Sequence, residues 1–275
     1  MTGDAPTLWA AQQRSCVRVV GADASPFLQS QLSQDLAVLH DAESCWSLVL
    51  QPEGRMGYLI RVLRLASDSW LLLGMQGCED DLIARLKRFS IRVKVTFELE
   101  QRWHAISTSS MSLSVDFTEI PSVLCQTGGQ EFLAISEPDL AGERVAYEQA
   151  SAWHVLIPAL DDADGVQDMV PTELGAATIA RAVSYTKGCY PGQELVARLD
   201  ARAALPPQPM VGVESRAPMS VGASLEVDGN DVGRVLRVAQ SADGQVWRAL
   251  ASLKRSAVTS ELTIDRAVVV TIPLT

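Results

Sequence analysis

The feature that most restricts the fold is the run Leu205-Pro206-Pro207-Gln208-Pro209, the richest proline cluster in the chain. Proline fixes φ and has no N–H to give to a helix or a central strand, so this stretch reads as a stiff extended connector. It divides the chain into residues 1–205 and 206–275. Beyond it, Met210 to Glu214, Ser224 to Val227, Gly233 to Val238, Val246 to Leu253 and Ala267 to Ile272 are short strand-like runs. Asp228-Gly229-Asn230 and Ala242-Asp243-Gly244 supply hairpin turns, and the spacing predicts a small all-β barrel.

The part before the prolines mixes elements without a regular βαβ repeat, which predicts an α+β fold. Cys16 to Val20 reads as a strand, followed by a helix with Ser25 as N-cap, Pro26 at the first position, and Leu28, Leu32, Leu36 and Leu39 on one face. Trp46 to Leu50 and Tyr58 to Leu65 form a hairpin around Gln51-Pro52-Glu53-Gly54-Arg55, with Arg55 at its tip. Trp70 to Leu73 continues as a strand. Glu79-Asp80-Asp81 opens a helix that ends on Arg85, Lys87 and Arg88, as its dipole favours, and buries Leu82, Ile83, Leu86 and Phe89. Ile91, Val93, Val95, Phe97 and Leu99 alternate with polar residues and predict a half-buried strand. Glu131 to Ile135 reads as a further strand and Pro138 to Tyr147 as a short helix.

At 47% hydrophobic and 20% charged residues, the chain can bury a full core. No apolar run approaches the ~18 residues of a membrane span, and the start lacks a basic segment followed by an apolar one, so a cytoplasmic protein with no membrane partner is expected. The net charge of -10 disfavours direct nucleic-acid binding in the absence of a local basic patch. Five scattered cysteines without a Cys-x-x-Cys pair, and His40, His104 and His154 far apart, show neither a disulfide framework nor a metal-ligand set.

Chemistry concentrates in Lys187-Gly188-Cys189-Tyr190-Pro191-Gly192-Gln193-Glu194. A thiol gains nucleophilic or redox character as thiolate, which a nearby cation or a helix N-terminus favours. Lys187 is two residues from Cys189, and Pro191 suits the first turn of a helix through Glu194, Leu195, Val196, Arg198 and Leu199. Gly188 and Gly192 bracket the thiol and permit unusual backbone or close approach. Residue chemistry alone still favours the plainer alternative, in which the glycines make a turn and Cys189 fills a small gap.

The run from Val183 to Glu194, with Val196-Ala197-Arg198 after it, resembles the signature of the YgfZ family, relatives of the aminomethyltransferase of glycine cleavage. Gly21-Ala22-Asp23-Ala24, Phe27-Leu28-Gln29, Gln31 to Asp35, Gly54-Arg55 and Ile91 to Val95 are also similar to that family. The resemblance implies an aminomethyltransferase-like folate-binding fold, three lobes around a central hole, with a C-terminal barrel. It implies a tetrahydrofolate-binding accessory factor, rather than an enzyme, that supports assembly or repair of iron–sulfur client proteins and, through them, tRNA modification. Folate and the iron–sulfur client proteins are the expected partners, and a monomer is expected. Carried over by position, Cys189 is the functional thiol with Lys187 beside it near the folate. Gln193, Glu194 and Arg198 are further signature positions.

Trp153 could offer a flat face to the pterin, although a tryptophan in an apolar segment is more often core; Arg55 could pair with folate's glutamate tail or simply be solvated. The segment Trp153-His154-Val155-Leu156-Ile157-Pro158 lacks the arginine, glutamate and glycine of the family's Arg-Ile-Glu-x-Gly-x-Pro. Two alternatives follow: a tetrahydrofolate-dependent aminomethyl or one-carbon transferase, for which Asp161-Asp162-Ala163-Asp164 offers carboxylates, and a scaffold without ligand. No flavin-binding glycine fingerprint is present.

Overall fold

Alternating side chains make the first strand a two-faced plank. β1, Leu8–Val20, sends Val17 and Val19 to one apolar cluster and Cys16 to another on the opposite face. It is thirteen residues long, so the Cys16 to Val20 strand expected from sequence is only its end. The computed structural model describes residues 7–74, 77–108, 117–120, 130–147, 169–201, 206–240 and 244–272. The expectations for Trp153, its segment to Pro158, Asp161 to Asp164 and Cys125 lie outside these residues.

β2 (Ser44–Leu50), β3 (Met56–Ala66), β4 (Ser69–Leu73), β5 (Thr96–Ser107), β6 (Phe117–Ile120) and β7 (Gln130–Ala134) join β1 in a sheet of order β2-β3-β4-β1-β5-β7-β6. The two-residue strand β8, Glu143–Arg144, pairs parallel with β1 at Leu8 and Trp9. It stands where a helix was expected over Pro138 to Tyr147. The β2–β3 hairpin forms as expected.

Helices α1 (Ala24–Gln31) and α2 (Glu79–Lys87) cover one face of the sheet over Val17, Val19, Val49, Tyr58, Ile60, Val62 and Leu72. Three expectations change here. α1 starts at Ala24 with Asp23 in the cap position, while the Ser25 hydroxyl donates to Ser67 O at 2.5 Å. α1 also ends at Gln31, yet Leu32, Leu36 and Leu39 remain buried in the loop that follows. Finally, residues 91–95 form a turn rather than the start of a strand: Arg92 has φ 66°, and Val93 N donates to Ser90 O. Val93, Val95 and Phe97 still pack on the core, but Ile91 and Leu99 are exposed. Phe89, expected inside, is exposed as well.

β9 (Met210–Ser215), β10 (Ser224–Val227), β11 (Asn230–Gln240), β12 (Trp247–Leu253), β13 (Leu262–Ile264) and β14 (Ala267–Ile272) close a barrel of order β10-β11-β12-β9-β14-β13. The strand β13 had no separate sequence signal. Alternation along β12 turns Ala249 and Ala251 into the barrel, while Leu250 points outward to a cluster shared with β2 and β3. That cluster also holds Trp46, Leu48, Met56, Tyr190, Val196 and Met210 and joins the barrel to the sheet.

A charged network is buried in the sheet. Arg61 Nη2 lies 2.5 Å from Glu131 Oε2, with side chains 1% and 0% exposed. His104 Nε2 is 3.3 Å from Glu131 Oε1, and its Nδ1 is 2.5 Å from Tyr147 Oη. The Arg61 guanidinium stacks over Trp46 at 4.3 Å. Among the described residues, no helix is long and apolar enough to cross a membrane, and no three His, Cys, Asp or Glu side chains cluster to hold a metal.

Candidate functional site

The site is built from two loops that grip each other. The first is the stretch after α1. Gln29 Nε2 donates to Asp35 Oδ1 (2.8 Å), and Gln29 Oε1 accepts from Leu36 N (2.7 Å), folding residues 29–36 into a tight bend. Ser33 Oγ donates to Ala182 O (2.6 Å) and accepts from Leu48 N (2.8 Å), while Ser184 N donates to Ser33 O (3.0 Å). This pins the bend to β2 and to the end of helix α3, Ala176–Ala182.

The second loop runs from Val183 to Gly192 and leads into helix α4, Gln193–Ala201. Lys187 crosses to the first loop, where its ammonium donates to Gln29 O (2.6 Å), Leu32 O (2.6 Å) and Gln34 O (3.0 Å). These carbonyls belong to the last turn of α1 and the bend beyond it, where a cation satisfies orphan acceptors and opposes the negative dipole end. Sequence adjacency to Cys189 suggested an activating partner for the thiol. The structure instead commits all three Lys187 donors to backbone. The ammonium also lies 5.4 Å from the Tyr190 ring centroid.

Burial pulls the Lys187 pKa down to about 8, against the Asp35 carboxylate and the Cys45 thiol, which favour the charged form. Cys45 is pushed up to about 12 by burial, with Lys187 opposing. Tyr190, also buried, is raised to about 12 by the same cause.

Tyr190 is 7% exposed, whereas Cys189 beside it is exposed and makes no hydrogen bond to a described residue. The thiol is thus held at the surface between two fixed neighbours, the anchored lysine and the buried tyrosine. Gln193 serves the turn: its Oε1 accepts from Tyr190 N (3.2 Å), and its own N donates to Tyr190 O (3.3 Å). These two bonds close the turn ahead of the helix. The expected helix therefore follows the thiol, but Gly192 at φ 81° delays its start to Gln193.

Gly192 also explains Gly54. A Cβ on Gly192 would stand 2.7 Å from Gln51 O and 2.8 Å from Gly54 Cα, and a Cβ on Gly54 would stand 2.4 Å from Leu195 Cβ. The thiol loop and the β2–β3 hairpin therefore touch backbone to backbone, which only glycine permits. Gly188 has open space around it. Arg55 is exposed at the hairpin tip; burial raises the Glu173 pKa, opposed by the hydrogen bond from Val170 N and by the Arg55 charge. Glu194 and Arg198 are exposed on α4.

Sequence reasoning missed the bend. Gln29, Gln34 and Asp35, the polar positions among the leucines of the longer helix expected there, shape the receptor for Lys187. It also missed Trp46, whose buried Nε1 has no hydrogen-bond partner among the described residues and lies in the cluster that holds Tyr190. An orphaned donor in an aromatic and apolar setting fits a ring acceptor of a heterocyclic ligand.

With this geometry established, the comparisons give the class first. The structure superposes on the glycine cleavage system aminomethyltransferase T of Bartonella henselae with a TM-score of 0.72 at 14% identity, over 98% of this chain and 85% of that one. The fold is aminomethyltransferase-like. Within that class, the chain is similar to the tRNA-modifying protein YgfZ of Yersinia pestis, strain Pestoides F, at 26% identity over 88% of this chain and 82% of that one. An uncharacterized protein of Haemophilus influenzae is 29% identical over 70% of this chain and 68% of its own. No protein-family model matches. The similarity to YgfZ-named proteins agrees with the resemblance carried by the residues around Cys189.

Proposed function

We propose that this protein is a cytoplasmic, tetrahydrofolate-binding accessory factor that supports assembly or repair of iron–sulfur enzymes and, through them, tRNA modification, with Cys189 as its functional thiol. The observation that carries the reading is the presentation of Cys189: an exposed sulfur on a loop whose flanking residues are fixed by a half-buried ammonium and a buried ring. A fixed, exposed thiol is the arrangement a partner protein can reach. The YgfZ-named relatives and the aminomethyltransferase-like fold support the folate and tRNA-modification parts.

In this reading, Lys187 is a positioning residue rather than a ligand. Trp46 Nε1 and the apolar cluster around it would hold the pterin. Arg55 would meet the carboxylates of the glutamate tail, and Trp153, Gln193, Glu194 and Arg198 complete the proposed folate neighbourhood. When bound, tetrahydrofolate supplies a one-carbon-carrying, reducing heterocycle. The chain's own contribution is to orient that ring and present the thiol.

The test replaces Cys189 by Ala in cells that lack the native protein. Activity of an iron–sulfur-dependent tRNA-modifying enzyme should fall, with the purified variant melting within roughly 2 °C of the parent. Full rescue by the variant sinks the role of the thiol, while calorimetry with tetrahydrofolate tests the ligand separately.

The likeness to an aminomethyltransferase over nearly the whole chain favours one second reading, a folate-dependent one-carbon transferase. Incubation with tetrahydrofolate and an aminomethyl donor distinguishes it. Methylene-tetrahydrofolate above background, seen by mass spectrometry, supports the enzyme.

A further inference from the structure

The end of α2 and the connection to β5, which includes the turn in place of the expected strand start, expose Lys87, Arg88, Phe89, Ile91, Arg92 and Lys94 together. Phe89 is 44% and Ile91 79% exposed, and Arg92 is held in the left-handed region. None of the four cations forms an ion pair with a described residue. The chain as a whole carries a net charge of -10, so four cations within eight residues stand out against it. The acids of α2, Glu79, Asp80 and Asp81, lie at the opposite end of that helix.

We propose that this turn docks an acidic segment of a partner protein, with Phe89 and Ile91 at the apolar centre of the contact and Lys87, Arg88, Arg92 and Lys94 on its charged rim. An apolar centre inside a polar rim is the anatomy of a protein interface, and aromatic and arginine side chains dominate binding there. A nucleic-acid backbone would use the cations but leave Ile91 wet, and the negative charge of the rest of the molecule would repel a long polyanion.

The turn is also wired to the candidate site. Lys94 N donates to Asp23 Oδ2 (2.8 Å), and Lys94 O lies where a Cβ on Gly21 would be, against the start of α1. Lys187 holds the other end of that helix. Eight residues of helix span about 12 Å, so a partner on the turn sits one short helix away from the anchor of the thiol loop. The docking proposal stands on the turn's own geometry and does not depend on the folate or iron–sulfur reading.

The experiment places photoreactive benzoylphenylalanine at position 91 of the full chain in its host cells, with the adduct mapped by mass spectrometry. The expected adduct is on a protein segment of net negative charge, and Arg88→Glu/Arg92→Glu should lower its yield by at least about tenfold. That variant should melt within roughly 2 °C of the parent. If the first pair unfolds the protein, Lys87→Glu/Lys94→Glu serves the same comparison. Absence of an adduct, an adduct on RNA or lipid, or a yield indifferent to charge reversal overturns the proposal.

Discussion

Lys187 shows how a residue's neighbours in space can reassign what its neighbours in sequence suggest. Its folded pKa, about 8, lies below the usual 10.5 because half-burial disfavours the ammonium. Between those values the unfolded chain binds more protons than the folded one, so this group's contribution to stability rises as the pH rises from about 8 toward 10.5. Melting the parent beside Lys187→Met at a series of pH values checks this: the difference in Tm between the two should shift in favour of the parent across that window. A difference that stays flat or shifts the other way contradicts the assignment. The importance of this lysine was legible from its place in the motif. Its acceptors were not, because Gln29, Leu32 and Gln34 contribute backbone carbonyls more than 150 residues away, and a carbonyl leaves no trace in residue type.

At the level of elements, the hairpin and the thiol loop depend on mutual absence of side chains. Gly192→Ala combines a positive φ with a clash against Gln51 O and Gly54 Cα, and should lower stability by roughly 2–4 kcal/mol in denaturant unfolding. Gly188→Ala meets open space and should stay within about 0.5 kcal/mol of the parent. Equal effects at the two glycines would contradict the packing described. The β2–β3 hairpin, α2 and most barrel strands were readable because turn residues and period-matched apolar runs agree there. Two of the misread elements have local causes. Leucines at helical spacing after Gln31 are buried by a bend held by side chains, and the alternation at Ile91 to Val95 is interrupted by a left-handed Arg92 that no propensity announces.

For the whole molecule, the Arg61–Glu131 pair sets a large part of the internal electrostatics. With both side chains essentially unexposed, Arg61→Met would take the guanidinium away from a buried carboxylate and should destabilise by about 3–5 kcal/mol, lowering Tm by roughly 10 °C. Adding Glu131→Leu should restore part of that loss, and a double variant no better than the single would argue against unpaired charge as the cause. The α+β class and the barrel were legible from patterning, whereas this network was not, since its members come from four separated segments. The barrel has a consequence for how the molecule is made. Met210 and Leu250 complete the apolar bed under Tyr190, so a chain emerging in order exposes Cys189 some sixty residues before Leu250 arrives to finish the support beneath its neighbour. During that interval of synthesis the thiol is out while its loop still lacks part of its floor, and it reaches its final setting only as the last strands close.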